Sequence, residues 1–465
     1  MSTLTGKQVG TPLADSFTGT VEITGLVDLS GVAILNALVT SLDGDDTIKG
    51  TASVSTSSFG TVEAIGVLSS LIDAGNDQDT LSFSATATGV STFAAGVKWS
   101  SILGGTGKDS LTISSKAIGQ GSGTGYGVYQ SNVESGSGND IITISSEAVG
   151  GGSSSGYGVY QASVNGGDGD DTLNISASAS GFSASSFGAS QSALIGGNGD
   201  DTFNISAFSN TNRGGSGYGL FQAQIDGGSG DDTFNLLGQG KGAAGGGYGV
   251  SFSAVYGGSG DDIFNLTGQG EGVSIGQGFG AYQSLVDGGS GDDSFYISGI
   301  GINGRGYGVY QSAVTGGSGG DIFFISGSGS GGNEAGYGVY ESSVDGGSGD
   351  DFICVSGTIL SLKDVLITGG EGDDVFDTGL GQGTVDGGEG DDLIFLNCFN
   401  AQTMTLVELL DNGLQIIGTQ DAQGKAFAWT QTIVNMEKFQ VGEYTFTSAG
   451  EVVAFLQGAS ASHYG

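Results

Sequence analysis

A nine-residue phrase, clearest as GGSGDDTFN at 227–235, recurs thirteen times, so the fold must place one turn and one strand in the same environment again and again. The copies read SLDGDDTIK from 41, AGNDQDTLS from 74, GGTGKDSLT from 104, SGSGNDIIT from 135, GGDGDDTLN from 166 and GGNGDDTFN from 196. After the phrase at 227 come GGSGDDIFN from 257, GGSGDDSFY from 288, GGSGGDIFF from 316, GGSGDDFIC from 346, GGEGDDVFD from 369 and GGEGDDLIF from 387. The sixth position is always Asp: Asp46, Asp79, Asp109, Asp140, Asp171, Asp201, Asp232, Asp262, Asp293, Asp321, Asp351, Asp374 and Asp392. Successive residues of this set lie 28 to 33 apart as far as Asp351, then 23 and 18 apart. Such a period predicts one elongated stack of coils, although 465 residues would ordinarily suggest two or three domains.

The phrase reads as a turn followed by a strand. Glycine tolerates positive φ and close backbone approach, and the eighth position is always apolar, from Ile48 and Leu81 to Phe376 and Ile394. A second carboxylate precedes the invariant one at Asp170, Asp200, Asp231, Asp261, Asp292, Asp350, Asp373 and Asp391. The leading glycines Gly166, Gly196, Gly227, Gly257, Gly288, Gly316, Gly346, Gly369 and Gly387 place backbone carbonyls beside these acids. Carboxylates and carbonyls together are the hard-oxygen environment that Ca²⁺ takes with six to eight ligands; the candidate metal-site residues are the sixth-position acids from Asp140 to Asp392, the second carboxylates and the leading glycines.

The copies resemble the GGxGxDxux nonapeptide of RTX (repeat-in-toxin) calcium-binding β-roll proteins, closely from 166 onward and less so at 41, which lacks the glycine pair, and at 74, where Asp77 replaces a glycine. The resemblance implies an all-β, right-handed parallel β-solenoid that binds several Ca²⁺ ions, about one per turn between coils. In that family nonapeptides follow one another directly. Here only Asp374 to Asp392 keeps the 18-residue spacing, so about 13 coils are expected, mostly near 30 residues, with ions along one edge. The resemblance also implies secretion through a type I channel with an uncleaved C-terminal signal. The tail phrase from Val434 to Phe439, followed by Gly442, Tyr444 and Thr445, is similar to the segment that closes such rolls. The expected divisions are N-terminal cap strands at 1–40, repeats at 41–395, and a C-terminal β cap with a short helix at 396–465.

Composition narrows the function classes. The net charge of −38 disfavours nucleic acid and anionic membranes as partners. Twelve Ca²⁺ ions between thirteen turns would add 24 positive charges and leave −14. The first residues carry no basic-then-apolar secretory leader, and no run is long and apolar enough for a membrane helix, so no membrane insertion is expected. The single histidine, His463, stands in a Ser-rich tail, which removes His-based catalysis and His-ligated zinc, and the acids are accounted for as metal ligands. No enzyme activity is expected. Cys354 and Cys398 are too few for a disulfide framework and read as small buried residues.

A second phrase, GYGVYQS at 125 and its relatives, marks a second strand. Its first aromatic column is Tyr126, Tyr157, Phe187, Tyr218, Tyr248, Phe279, Tyr307 and Tyr337, and its second is Tyr129, Tyr160, Phe221, Tyr282, Tyr310 and Tyr340. Parity from Val133, Val164 and Val344 places the second column inside. Gly/Ser runs such as SGIGINGRG at 298 read as flexible turn material, and Asn174, Asn204, Asn235 and Asn265 as an amide ladder. The reading that follows is a secreted, calcium-dependent structural protein whose copies assemble into an extracellular filament, sheath or surface layer. The alternative is an adhesin whose aromatic ladder binds cell-surface polysaccharide.

Overall fold

The computed structural model describes every residue except Met1, Ser58, Ser274, 331–335, 397–403, 421–425 and 462–465, so Cys398 and His463 lie outside the described residues. It is an all-β parallel solenoid of about 11 turns. One coil shows the plan. A turn strand (Gln224–Ser229) leads through the GGSGDD turn into a long strand (Thr233–Gly242), and a return strand (Gly246–Ser251) brings the chain back. Each pairs in parallel and in register with its counterpart one coil on, Phe234 against Phe264, Tyr248 against Phe279 and Val255 against Val286. The count is slightly below the expected 13, and the coils shorten toward the C-terminal end, where the long strand shrinks to Val375–Asp377.

Register makes each core residue meet its own equivalent. The eighth-position side chains are fully buried, and Phe203, Phe234, Phe264, Phe295 and Phe323 stack with ring centroids 4.5–5.1 Å apart. Ile205 and Leu236 on the long strand, Val250 on the return strand and Val255 on the turn strand close a narrow triangular core.

Beyond that core the long and return strands continue as a thin two-layered wing. One inward column of the long strand runs Ala85, Ser115, Ser146, Ala177, Ala207, Gly238, Gly268, Gly299 and Gly327. The early coils are therefore spaced by methyls and hydroxyls, and the later ones by nothing. A Cβ added to Gly268 would fall well inside 3.0 Å of the Phe279 carbonyl in the opposite layer, and one on Gly299 equally near that of Tyr307. Stacked sheets ordinarily sit ~10 Å apart; glycine lets these backbones touch. The run at 298 is thus ordered structure, since Ser294–Ile302 and Arg305–Tyr310 are strands and only Asn303 and Gly304 turn between them.

The aromatic columns also differ from the parity expectation. Val128, Val159 and Val339 point inward, and both Tyr126 and Tyr129 stand half-buried on the outer side. The cause is the glycine between them. Gly158 is skipped in the pairing of the return strand, so two successive inward positions, Gly158 and Val159, reverse the alternation. Rings stack along a column, as Tyr126 on Tyr157 at 4.9 Å, and meet across the two columns, as Tyr126 with Tyr129 at 4.7 Å and Tyr307 edge-on to Tyr310 at 5.1 Å. The amide ladder forms as read, Asn204 Nδ2 donating to Asn174 Oδ1 at 3.0 Å and Asn235 Nδ2 to Asn204 Oδ1 at 2.8 Å. Cys354 continues that outer row opposite Phe324 and is half-buried, not core.

At the N-terminal end, Ser16–Gly25 and Leu29–Thr40 pair in parallel with Thr47–Thr56 and Thr61–Leu68, so this segment is itself a coil. At the other end Met404–Leu410, Gly413–Gln420 and Ala426–Val434 form an antiparallel meander joined to Gly381–Glu389, with the helix Ala449–Ala461 against it.

The wing predicts a position-specific cost. Gly268→Val should destabilise by about 1–3 kcal/mol in urea unfolding, the usual penalty for overpacking, whereas Gly320→Asp, in the turn, should be tolerated. Its Cβ would have 3.1 Å to its nearest neighbour, and the new carboxylate matches the residue found there in most copies.

Candidate metal centre

The turn is built by left-handed glycines at positions two and four, as at Gly228 (φ +110°) and Gly230 (φ +121°). An added Cβ on Gly228 would overlap the carbonyl of Gly197 in the preceding coil, so glycine is required by space as well as by φ. Asp77, which replaces a glycine at position four, is held at φ +76°. The turn therefore forms there too, at the strain an L residue incurs in that region.

This geometry sends the two acids of each turn in opposite directions. The sixth-position Asp is turned inward and buried in every coil from Asp46 to Asp392. Its Oδ1 accepts the backbone N–H of the equivalent Asp one coil earlier: Asp201 N–H to Asp232, Asp232 N–H to Asp262, and so on in an unbroken series at 2.6–2.8 Å. The fifth-position Asp170, Asp200, Asp231, Asp261, Asp292, Asp350, Asp373 and Asp391 are exposed. They form a row of opposite sense, in which Asp231 N–H donates back to Asp200 Oδ1 and Asp261 N–H to Asp231 Oδ1. The structure thus brings the sixth-position acids together with the leading glycines and leaves the fifth-position acids outside.

The other oxygen of the buried carboxylate is the chemically informative atom. Oδ2 has no hydrogen-bond partner in any of the thirteen, Asp46 through Asp392. It lies over the leading glycine, where a Cβ on Gly166, Gly196, Gly227, Gly257, Gly288, Gly316, Gly346 or Gly369 would collide both with Oδ2 of its own coil and with the carbonyl oxygen of the next. At Gly387 that carbonyl belongs to Asn435. Burial is the main force on these groups. It pushes the carboxyls of Asp171, Asp201, Asp232, Asp293, Asp321, Asp351 and Asp374 up to about 7 and that of Asp262 to about 8. The Asp–amide bond pulls the other way, and neighbouring carboxylates add to the rise. A row of buried, half-satisfied carboxylates at strand spacing is stable only with protons or cations on it.

The donor set fits calcium. Each coil offers an unpartnered carboxylate oxygen such as Asp232 Oδ2, with the Gly257 carbonyl of the next coil converging on the same glycine, an all-oxygen pair of donors. Among the described residues no three acidic side chains gather at one point, so backbone carbonyls would supply most of the coordination.

Two members of the row escape the motif search. Asp15, in GTPLADSFT, gives its N–H to Asp46 Oδ1, with Gly10 beneath it and Phe17 against the core. Its signal was the Gly, Asp and Phe at positions one, six and eight, obscured by the missing internal glycines. Glu437 closes the other end, Oε2 accepting the Asp392 N–H at 3.0 Å, with Phe439 in register with Ile394. No family model matches the chain, and no curated protein matches it significantly.

Two outcomes follow. Without divalent cations, stability should fall as pH rises from about 4 through 7. The folded carboxyls hold their protons above the unfolded value of 3.8, so between these limits the folded state binds more protons. Millimolar calcium should reverse the trend, as urea melts at pH 5 and 8 with EGTA or calcium will report. Asp232→Asn keeps an acceptor for the Asp201 N–H but loses the charge. It should lower the midpoint in calcium yet leave it unchanged or raised in EGTA at pH 8, and equal calcium dependence in variant and parent would remove Asp232 from the metal site.

Proposed function

We propose that this chain is a secreted, calcium-clamped structural rod whose copies assemble into an extracellular filament, sheath or surface layer. The observation that carries the reading is the unbroken row of thirteen buried carboxylates from Asp46 to Asp392, each with its second oxygen unpartnered. Such a row makes the folded state conditional on divalent cation. Extracellular modules bind calcium at about 10⁻⁴–10⁻³ M, a level met outside cells and not in cytosol. Before export, repulsion among the acids and the entropy of 96 glycines keep the chain open. Outside, bound calcium would supply the positive charge that the Oδ2 atoms lack, and the binding free energy becomes folding free energy. No helix among the described residues is long and apolar enough to cross a membrane.

Assembly is supported by the ends. Among the described residues the Ser16–Gly25 strand has one strand partner, Thr47–Thr56, apart from a single bridge from Ser2, and Leu13, Leu26 and Val27 beside it are exposed. At the opposite end Leu409 and Tyr444 are exposed. An open strand edge with apolar neighbours is an acceptor for another chain, and a contact between unlike ends does not close, so it propagates. The tyrosine columns support copy-to-copy contact over sugar stacking. In the first column each face is covered by the next ring, as between Phe187 and Tyr218 at 5.0 Å and 3°, and in the second Tyr310 and Tyr340 stack in the same way at 5.0 Å and 7°.

Negative-stain electron microscopy with circular dichroism, in EGTA and then in millimolar calcium, tests this. Filaments or sheets that appear together with β-structure only after calcium are expected. Folded single rods at all concentrations would overturn assembly, and β-structure indifferent to calcium would overturn the clamp.

A further inference from the structure

Along the corner between the return and turn strands runs a feature unrelated to the acid row. Each coil turns this corner on one residue near φ +50°, and five of them in succession are Trp99, Gln130, Gln161, Gln191 and Gln222, followed by Phe252. The glutamines are exposed and linked head to tail. Trp99 Nε1 donates to Gln130 Oε1 at 2.6 Å, Gln130 Nε2 to Gln161 Oε1 and Gln161 Nε2 to Gln191 Oε1 at 2.8 Å, and Gln191 Nε2 to Gln222 Oε1 at 3.1 Å. The amides of Gln130, Gln161 and Gln191 each spend one N–H and one lone pair on the chain and keep one of each for the solvent side. The ladder floors a shallow trough of about 1510 Å³ that ends on Trp99 and Phe252, which are 53% and 47% exposed.

Three properties of the trough point to one kind of ligand. It is lined without a single charged side chain, although the chain carries −38. An ionic partner gains nothing there, and a neutral one is not repelled. Its floor repeats identical donors and acceptors once per coil, at about 4.8 Å, which suits an extended polymer lying along the axis rather than a compact molecule. The third property is the pair of aromatics. Every corner residue takes φ near +50°, glutamine fills the corner in the intervening coils, and Trp99 and Phe252 bracket that run five coils apart, or about 24 Å. The indole is further fixed by its bond to Gln130 and by Lys98 Nζ, 4.5 Å from its centroid. A preorganised, exposed aromatic at each end of a neutral amide track is built to receive apolar faces that alternate with hydroxyls.

We infer that this trough binds a neutral, linear polysaccharide, with sugar rings stacked on Trp99 and Phe252 and hydroxyls bonded to the free amide positions of Gln130 to Gln222. It goes beyond the calcium-clamped rod by giving the rod a polymer to hold, and it uses none of the metal-site residues. Trp99 reports on it directly, because the only other tryptophan, Trp429, is 2% exposed.

The test is acrylamide quenching of tryptophan fluorescence in calcium with cellohexaose, hydroxyethylcellulose and, as the charged control, alginate, alongside retardation in native gels containing each soluble polymer. Trp99→Gln and Phe252→Gln restore the residue used by neighbouring coils and should fold as the parent does, which circular dichroism checks. Both neutral glucans should shield Trp99 and alginate should not, and each variant should lose roughly tenfold in affinity for hydroxyethylcellulose, the scale of one lost aromatic contact. Absence of shielding and retardation by the neutral glucans, equal binding of alginate, or parental retardation of both variants would overturn the inference. None of these depends on whether filaments form, so failure here is distinguishable from failure of the assembly reading.

Discussion

In-register parallel stacking decides what every position in this chain can be. Each side chain meets its own equivalent about 4.8 Å above and below, so a residue type is rewarded or penalised by self-contact multiplied over the stack. Phenylalanine at the eighth position gains, since Phe264 and Phe295 stack at 4.6 Å and 4°. Asparagine gains, because an amide can donate to and accept from a copy of itself. A buried carboxylate loses, since its copies repel and its second oxygen finds no donor. That the one losing type is the one never varied, from Asp46 to Asp392, is the strongest argument that something positive belongs beside it.

The same constraint explains which parts of the structure were legible in the sequence. The Asp and the apolar residue two places later define the turn strand and long strand, and their spacing gives the coil, because a fixed period and a fixed register are the same statement. Parity failed at Tyr126 and Tyr129. Strand alternation assumes one residue per pleat, and the intervening Gly127 breaks it, so both rings emerge on one side. The Gly/Ser runs failed for a related reason. Glycine was taken as freedom, whereas at Gly268 and Gly299 it is the absence of a side chain between two touching sheets. The fifth and sixth acids were read as a pair, but two adjacent residues in an extended chain face opposite ways, as Asp231 and Asp232 do.

Asp15 and Glu437 were hidden because the ends of a repeat array are released from the pattern that binds its middle. Gly10 and Phe17 keep the spacing around Asp15, but only one neighbouring coil has to be matched, so the internal glycines are dispensable. At the far end the acceptor is Glu437, just before the Lys438–Val441 strand, where Glu stands in place of Asp.

These two residues also settle how the rod is polarised. The sixth-position N–H groups donate toward higher-numbered coils and fifth-position ones such as those of Asp231 and Asp261 toward lower, so the two ends are chemically different. The buried row is nonetheless closed at both. Asp15 Oδ2 accepts the backbone N–H of Thr11 at 2.5 Å, and the last donor, Asp392, is taken by Glu437. A second copy therefore has no buried carboxylate or amide of this row to continue. On the proposed assembly, growth end to end would rest on the edge of Ser16–Gly25 and the exposed Leu13, Leu26 and Val27, which would separate two energetic roles along the axis: the acid row for the folding of a single rod, and the apolar end for the joining of rods.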